Sequence, residues 1–398
     1  MLSSEIIRRE AEEMACRTVE IYRALHRYPE TAHHETETNR TIRKELDKYG
    51  VTYLAPAGNI TIALIGHGGG ATVGLRCDTD ALPVQEETGL PFASAHPNVM
   101  HACGHDAHTA VGLSAALMLK KHESELSGVV KVIFQPAEEG EGGADEVLAT
   151  GLVQDIDVFF ALHVWSPYAS GTLHASVTTV GAAVDMFTIR VSGRGGHGAT
   201  PEKCADAVVA GAAIVTQAQA IVARALSPME PAVLTIGSFH AGMAGNVIAG
   251  EAVLKGTIRS LNEETRARVS SLLEQTAVQV AALYGCKAEV ENIRVSDAVV
   301  NDQRATELAR ACAREIAPEN ELLPQKTMML GDDFADYSVV APCCYAQVGI
   351  ADARKGTDAA HHSCRFRVDE DVLPLCVKWM ACFAVRACEV WPKKESRQ

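Results

Sequence analysis

The chain has 398 residues, of which 47% are hydrophobic, and a formal net charge of −14. The length favours two domains, and the apolar content is that of a globular protein with a full core. The acidic balance excludes most nucleic-acid binders, because phosphate binding needs a basic face.

The first part of the chain alternates predicted helices and strands. Helices are predicted at 5–27, 39–49 and 106–121, and strands at 61–65, 73–76, 129–134 and 158–162. The last two strands are largely apolar, as strands buried on both faces are. The alternation predicts an α/β layer fold with polar site residues just after strand ends. The glycine-rich run 66–70 predicts a hairpin turn.

From about residue 184 the pattern changes. The predicted elements are strand 184–191, helix 203–224, strand 232–239, strand 247–258, helix 262–283 and strand 286–293. This β-α-β-β-α-β order is ferredoxin-like. A strand at 344–348 and a helix from 369 to about 390 follow. The sequence therefore predicts a small domain, 184–294, inserted into a larger α/β domain made of 1–183 and 295–398.

Neither a membrane span nor export is expected. No uncharged apolar run reaches the about 18 residues that cross a bilayer. Residues 1–13 are charged and lack the apolar core of a signal peptide. The twelve cysteines are scattered through the chain, so we expect reduced thiols in the cytoplasm rather than a disulfide framework.

The stretch 100–109, MHACGHDAHT, places a thiol at Cys103 two residues before an imidazole at His105. Both are ligands for a borderline-soft divalent ion. His101 and His108 are expected to surround the ligands rather than bind. Asp106 either orients a ligand imidazole or caps the helix that follows.

Further candidate ligands follow later strands. Adjacent acids, Glu138 and Glu139, come after strand 129–134, and His163 ends the run 158–162. One acid can ligate while the other moves a proton, although spacing alone does not say which. One histidine of the pair 361–362 is a further candidate ligand. The motif 331–334, GDDF, is either a loop with a helix cap or an acid that supports the site.

The run 193–198, GRGGHG, matches the pattern G-x-G-x-x-G of dinucleotide-binding proteins. No strand ending in an acid lies about 20 residues further on, where helix 203–224 is predicted. A flexible loop that presents His197 is the preferred interpretation.

Together these motifs resemble one known family, the metal-dependent amidohydrolases that include auxin-conjugate (indole-acetyl-amino-acid) hydrolases, hippurate hydrolases and bacterial N-acyl-amino-acid deacetylases. The stretches that carry the resemblance are 25–30, 76–83, 100–109, 135–140, 195–201, 331–334 and 362–363.

The resemblance implies a catalytic domain with two divalent ions and a lid domain that forms a homodimer. The identity of the metal stays open, because Cys, His and Glu ligands suit Mn²⁺ or Zn²⁺, which we expect first, and also Co²⁺ or Ni²⁺. The positions that match its metal ligands are Cys103, which bridges, His105, Glu139, His163 and His362. Glu138 matches the general base, and His197 matches a lid histidine that reaches the neighbouring subunit's substrate. Asn246 and Arg259 match substrate contacts in the lid.

Two positions depart from the family pattern. Asp332 stands where the family usually has Glu, and Cys77 stands where it usually has a small apolar residue. The first puts the contacts made through residue 332 in doubt, and the second is expected to be silent.

The expected function is hydrolysis of the amide of an N-acyl amino acid, which releases a carboxylic acid and a free amino acid. One alternative is a dipeptidase or carboxypeptidase of the same superfamily, but such relatives generally bridge their metals with Asp rather than Cys103. The other is a non-catalytic metal- or ligand-binding protein, which would have no need of Glu138.

Overall fold

The computed structural model describes residues 2–56, 58–140 and 142–393. The chain forms two compact units. The first comprises Met1–Thr178, Val300–Lys326 and Asp333–Gln398, and the second comprises Thr179–Val299 and Thr327–Asp332. The predicted division into a catalytic domain (1–183 and 295–398) and a lid (184–294) assigns functions to the domains. It therefore stays a prediction.

The first unit begins with helices. They are α1 Ser4–Glu13, α2 Ala15–Arg27, α3 Thr36–Lys48, α4 His105–Lys121 and α5 Gly143–Ala149. The predicted helix 5–27 is two helices that meet at Met14, whose N–H still bonds to the carbonyl of Glu10. Helix α4 is apolar and almost wholly buried. It approaches the sheet closely at Gly112, where an added Cβ would meet Sγ of buried Cys77 at 2.2 Å.

The strands of this first stretch are β1 Thr52–Leu54, β2 Thr61–Ile65, β3 Thr72–Asp78, β4 Val129–Gln135, β5 Val158–Ala169 and β6 Leu173–His174. Strand β4 lies between β2 and β3, antiparallel to the former and parallel to the latter. The prediction of a hairpin at 66–70 was therefore wrong, because the two strands that this run joins are not neighbours.

The second unit contains β7 Thr179–Gly181, β8 Ala183–Ser192, β9 Gly196–His197, α6 Ala207–Ala220, β10 Ala232–Ala241, β11 Val247–Ile248, β12 Glu251–Ser260, α7 Glu263–Leu283 and β13 Lys287–Ser296. Its four-stranded sheet has the order β10-β12-β8-β13 and is antiparallel throughout. Helices α6 and α7 contribute to a separate core against this sheet. The order of the elements along the chain is ferredoxin-like, as predicted.

Two predicted elements of this unit differ in detail. The helix predicted at 203–224 is shorter and ends in a π-helical turn, Ile221–Ala225. The strand predicted at 247–258 is two strands, because β11 pairs with β9 whereas β12 pairs with β8 and β10. The helical stretch Ala207–Ala225 is long and apolar enough to cross a membrane. Core helices of water-soluble proteins share that composition, so it is weak support for a span.

The chain ends with β14 Val299–Val300, α8 Gln303–Ile316, β15 Leu322–Leu323, β16 Cys343–Ala351 and α9 Leu373–Val390. The eight-stranded sheet of the first unit has the order β1-β2-β4-β3-β5-β16-β6-β15. Its central strands β4, β3, β5 and β16 are parallel. Their carboxyl ends therefore meet at one edge of the sheet, where open α/β sheets form their sites.

Candidate metal centre

Cys103 and His105 lie where a loop enters helix α4. Between them Gly104 adopts a left-handed conformation with φ of 97°, and a Cβ there would meet Cγ2 of Val164 at 2.4 Å. Only glycine allows both the conformation and the close approach to β5. The glycine thus places the thiol in the loop and the imidazole in the first turn of α4.

Glu138 and Glu139 lie in the turn that follows β4. Ala137, just before them, has a positive φ of 55°. The backbone N–H groups of Glu138 and Glu139 donate to the two carboxylate oxygens of Asp80, at 3.0 and 2.9 Å. Asp80 follows the end of β3. Its carboxylate therefore holds the turn after β4 close to the end of β3.

His163 does not lie at a strand end, and that part of the prediction was wrong. Strand β5 continues to Ala169, but it pairs with β3 only as far as Ala161. Beyond that point one edge of β5 has no neighbour from β3. The ring Nδ1 of His163 lies 2.6 Å from the carbonyl oxygen of Val164, and its Nε2 lies 3.6 Å from Sγ of Cys103.

The histidine pair 361–362 divides its roles. His362 lies in a turn with a φ of 63°, and its N–H donates to the carbonyl of Ala102. Its Nε2 forms an ion pair with Oε1 of Glu139 at 3.0 Å. Nε2 of His361 instead accepts the N–H of Ser166, and its ring packs on Trp165. His362 is therefore the candidate ligand of the pair.

Two groups of three donor atoms share one member. Cys103, His105 and His163 form one group, and Cys103, Glu139 and His362 form the other. Within each group the donor atoms lie within 4.8 Å of one another. His105 also forms a group with Glu138 and Glu139.

The donor set fits divalent cations. Cys, His and carboxylate donors in groups of three suit Zn²⁺ or a similar ion. Nε2 of His105 is buried and has no hydrogen-bond partner among the described residues. Its other nitrogen, Nδ1, lies 3.3 Å from Asp80, which turns Nε2 towards the donor groups. A carboxylate on the far nitrogen is the usual support of a metal-binding imidazole.

The pKa values of the donor side chains follow from their burial and from the neighbouring acids. Burial raises the pKa of the Cys103 thiol well above its ordinary value. Burial lowers the pKa of His105, but Asp78 and other neighbours outweigh it, so that the pKa lies well above 6.5. Burial also holds the pKa of His163 well below 6.5. A low pKa favours the neutral imidazole of His163, whereas Cys103 and His105 would each release a proton on binding a metal ion.

Sequence reasoning assigned no role to Asp78, the last residue of β3, or to Asp80, which follows that strand. Besides Asp80, Asp78 accepts from Nδ1 of His108 at 2.6 Å, and Nε2 of His108 accepts the N–H of Val164. Both nitrogens of His108 therefore have hydrogen-bond partners, and His108 also forms a donor group with Asp78 and His105. The available signal was the D-x-D pattern at the end of a buried strand, where sites form.

Asp106 does not orient a candidate ligand, but it does satisfy a donor at the start of α4, because its Oδ1 accepts the N–H of Ala107 at 2.8 Å. Its carboxylate contacts Nδ1 of His26 at 2.6 Å rather than a candidate ligand, and Gly104 is the cap of α4. Buried His101 belongs to none of the donor groups, and neither of its ring nitrogens has a hydrogen-bond partner among the described residues. Burial lowers the pKa of His101 to about 4.

Asp333 supports the site from the GDDF motif. Its carboxylate accepts from Arg76 at 2.6 Å and from the side chain of Gln135 at 2.8 Å. Arg76 also pairs with Asp78 at the end of β3. Asp333 therefore supports that strand end through Arg76. Asp332, the residue that departs from the family pattern, is buried and belongs to the second unit.

The remaining predicted residues all lie in the second unit. His197 on β9 is exposed and pairs in register with Val247, and the N–H of Gly198 donates to the carbonyl of Asn246. His197 and Asn246 are therefore neighbours. Arg259 lies on β12 between Val233 and Val184 of the adjacent strands.

Known proteins resemble this chain along its length. The sequence profile of peptidase family M20/M25/M40 matches residues 74–386. Thermostable carboxypeptidase 1 of Saccharolobus solfataricus is 34% identical over 96% of this chain and 98% of its own. An N-acyl-L-amino acid amidohydrolase of Geobacillus stearothermophilus is 38% identical over 72% of this chain and 79% of its own. The crystal structure of a dinuclear metal binding peptidase of the M20 family from Bacillus subtilis has a TM-score of 0.83 and is 30% identical, covering 95% of this chain and 99% of its own.

Proposed function

The chain belongs to peptidase family M20/M25/M40, and from this membership and the donor groups we propose that it hydrolyses the amide bond of N-acyl amino acids with two divalent ions. It is a hydrolytic enzyme that acts on the amide bonds of small-molecule substrates. The observation that carries the proposal is the sharing of Cys103 by two donor groups beside Glu138. The dinuclear relative and the N-acyl-amino-acid amidohydrolase support it.

Cys103, His105 and His163 would hold one ion, and Cys103, Glu139 and His362 the other. Bound there, divalent ions supply Lewis acidity, which lowers the pKa of water from about 15.7 towards about 7 and polarises a carbonyl. Among the candidate metals, Mn²⁺ and Zn²⁺ come first, and metal analysis of the purified protein tests this.

The residues of this chain move the proton and hold the substrate. Glu138 takes a proton from the attacking water and delivers it to the departing amine, so that one carboxylate acts first as base and then as acid. His197 donates to the oxygen that becomes negative as the acyl carbon turns tetrahedral. Arg259 suits the carboxylate of the amino-acid half because its planar guanidinium binds a carboxylate through two parallel hydrogen bonds. Asn246 is a further substrate contact.

A substrate panel tests the proposal. N-acetyl, N-benzoyl and indole-acetyl amino acids are incubated with the metal-loaded protein, and release of the free amino acid is measured. Hydrolysis of at least one acyl class is expected. If the metal-loaded protein released no amino acid from any acyl class, the proposed substrate class would be wrong.

A carboxypeptidase is the second candidate, because one relative that matches nearly the whole chain carries that name. The two activities differ in what precedes the cleaved bond. A carboxypeptidase needs an amino-acid residue before the cleaved bond, whereas an N-acyl-amino-acid hydrolase prefers a simple acyl group there. Comparing kcat/KM for N-acetyl-Met and Ala-Met separates them, and the proposal expects the acyl substrate to be preferred.

A homodimer in the cytoplasm, without nucleic-acid or membrane partners, completes the proposal. All twelve cysteines are free, which suits a reducing compartment. The net charge of −14 disfavours binding to phosphate polymers. Sedimentation of the metal-loaded protein tests the dimer, and fractionation of the source cells tests the compartment.

A further inference from the structure

The turn that carries Glu138 and Glu139 has an unusual backbone at its start. Ala137 has a φ of 55°, in the left-handed region that residues other than glycine rarely adopt. It is fully buried. Such a conformation persists only when surrounding contacts hold it, and it occurs often at functional sites. The contacts that hold Ala137 therefore help to decide where the next two side chains point.

Glu35 provides one of these contacts from the beginning of helix α3. Its Oε1 accepts the N–H of Ala137 at 2.8 Å, and its Oε2 accepts from the side-chain amide of Asn59 at 2.9 Å. Glu35 is fully buried. Its carbonyl oxygen accepts from the side chain of Asn39 at 3.0 Å. The carboxylate is thus fixed on both oxygens and at its own backbone.

Glu35 completes a pattern that Asp80 begins. Asp80 binds the N–H groups of Glu138 and Glu139, and Glu35 binds the N–H immediately before them. Three consecutive backbone donors therefore end on two buried carboxylates. Without the Glu35 carboxylate, the buried N–H of Ala137 would lose its acceptor, and a buried unpaired donor is unfavourable.

We propose that Glu35 is a positioning residue whose carboxylate, through the N–H of Ala137, fixes the left-handed turn that aims Glu138 and Glu139. The inference rests on the proposed function, in which Glu138 is the base and Glu139 a metal ligand. It predicts that loss of Glu35 impairs both proton transfer and metal affinity, because both side chains depend on one turn.

Glu35→Ala should lower kcat about 10- to 100-fold, the scale expected when a reacting group is misplaced by about 1 Å. It should also weaken binding of Zn²⁺ to the apoprotein, measured by titration with a competing chelator. Glu37→Ala is the matched control, because Glu37 lies in the first turn of α3, just after Glu35, is exposed and pairs with Arg40. The control should keep both properties.

Substitution at position 137 separates positioning from a general effect on the fold. Ala137→Gly removes the steric cost of the left-handed conformation. In the Glu35→Ala background it should therefore restore part of kcat and of Zn²⁺ affinity. A merely structural role of Glu35 would leave both values unchanged by the added glycine.

Two conservative variants keep the test valid if Glu35→Ala fails to fold. The side chain of Glu35→Gln can still accept the N–H of Ala137, and Asn59 can rotate its amide to match. Glu35→Asp withdraws the carboxylate by about 1.5 Å, one carbon–carbon bond. The glutamine variant should remain close to wild type, and the aspartate variant should lose kcat and Zn²⁺ affinity.

The outcomes distinguish this inference from the proposed function. If wild type hydrolyses no N-acyl amino acid, the proposed function fails, and Zn²⁺ affinity alone decides the role of Glu35. The inference would be overturned if folded Glu35→Ala protein kept the Zn²⁺ affinity of wild type and, where hydrolysis occurs, the kcat of wild type. A glutamine variant that is more impaired than the aspartate variant, or the absence of any rescue by Ala137→Gly, would also overturn it.

Discussion

Cys103 is the side chain on which both donor groups depend. It forms one group with His105 and His163 and another with Glu139 and His362. A thiolate is a strong ligand for Zn²⁺ and similar ions. The two proposed ion sites are therefore linked through one residue, and loss of that residue should affect both.

Substitution of the shared and unshared ligands tests this link. Cys103→Ala should remove both ions, whereas His163→Ala and His362→Ala should each weaken one site and leave the other. The measurement is metal content per chain after gel filtration at a fixed free-metal concentration. Cys103→Ala protein that keeps as much metal as wild type would show that the thiol does not bridge.

The adjacent acids should separate cleanly. Glu138→Gln should keep its metal but lose at least about 100-fold in kcat, the usual scale for a general base. Glu139→Gln should lose metal affinity as well, because Glu139 forms a donor group with Cys103 and His362. Metal analysis beside kinetics checks both. The opposite result, with metal lost only from Glu138→Gln, would reverse the assignment.

At the scale of single residues, the candidate ligands could be predicted from the sequence. The residues that hold these ligands in place could not. Cys103, His105, Glu138 and Glu139 could be named because their residue types and spacing suit a metal centre. Asp80 could not, because its bonds to His105 and to a turn 58 residues away depend on how strands pack. For the same reason the partner of Asp106 is His26, which no local pattern indicates.

At the scale of elements, a buried ionic cluster joins α2 to α4. His26 on α2 lies 2.6 Å from Asp106 on α4 and 3.2 Å from Glu86 in the loop after β3. The three side chains are at most 2% exposed. Burial lowers the pKa of His26, but its bonds to Asp106 and Glu86 outweigh this and raise the pKa to about 9. The cluster therefore fixes the start of α4, from which His105 projects.

This cluster should make stability fall at alkaline pH. The folded-state pKa of His26 is raised, so its contribution is fully present below the unfolded value of 6.5 and is lost as pH rises through about 9. The full contribution is on the order of 3 kcal/mol. The stability difference between wild type and His26→Gln, from urea unfolding, should shrink between pH 6.5 and 9.5. A difference that stays constant over this range would show that His26 is not charged in the folded protein.

Element types were predictable from periodicity, but strand partners were not. The ferredoxin-like order of the second unit was predicted because its helices and strands carry clear apolar patterns. The run 66–70 suggests a hairpin locally, yet β4 inserts between the strands it joins. The length of β5 was also missed, because its later residues pair with β16, which follows about 180 residues further along the chain.

At the scale of the whole molecule, the proposed site residues are divided between two units. The donor groups and Glu138 lie in the first unit, and His197 lies in the second. The family resemblance implies that His197 serves the neighbouring subunit of a dimer. This arrangement can be tested without a structure of the dimer.

Complementation between two inactive variants is the test. His197→Ala and Glu138→Gln should each turn over poorly while keeping their metal. Mixed dimers should recover part of the activity, because one of their two sites would combine an intact Glu138 with an intact His197. The measurement is hydrolysis after subunit exchange is verified by mass spectrometry. Exchange without recovery would indicate that His197 acts within its own subunit or outside the reaction.

The central claim is that the donor groups around Cys103 form a two-ion centre for amide hydrolysis. The most direct measurement is a titration of the apoprotein with Zn²⁺ or Mn²⁺ that records bound metal per chain and the rate of N-acyl-amino-acid hydrolysis in the same samples. The account predicts no turnover in the apoprotein and a rate that reaches its maximum as two ions bind per chain. Full turnover by demonstrably metal-free protein, or a maximal rate without bound metal at these sites, would contradict it.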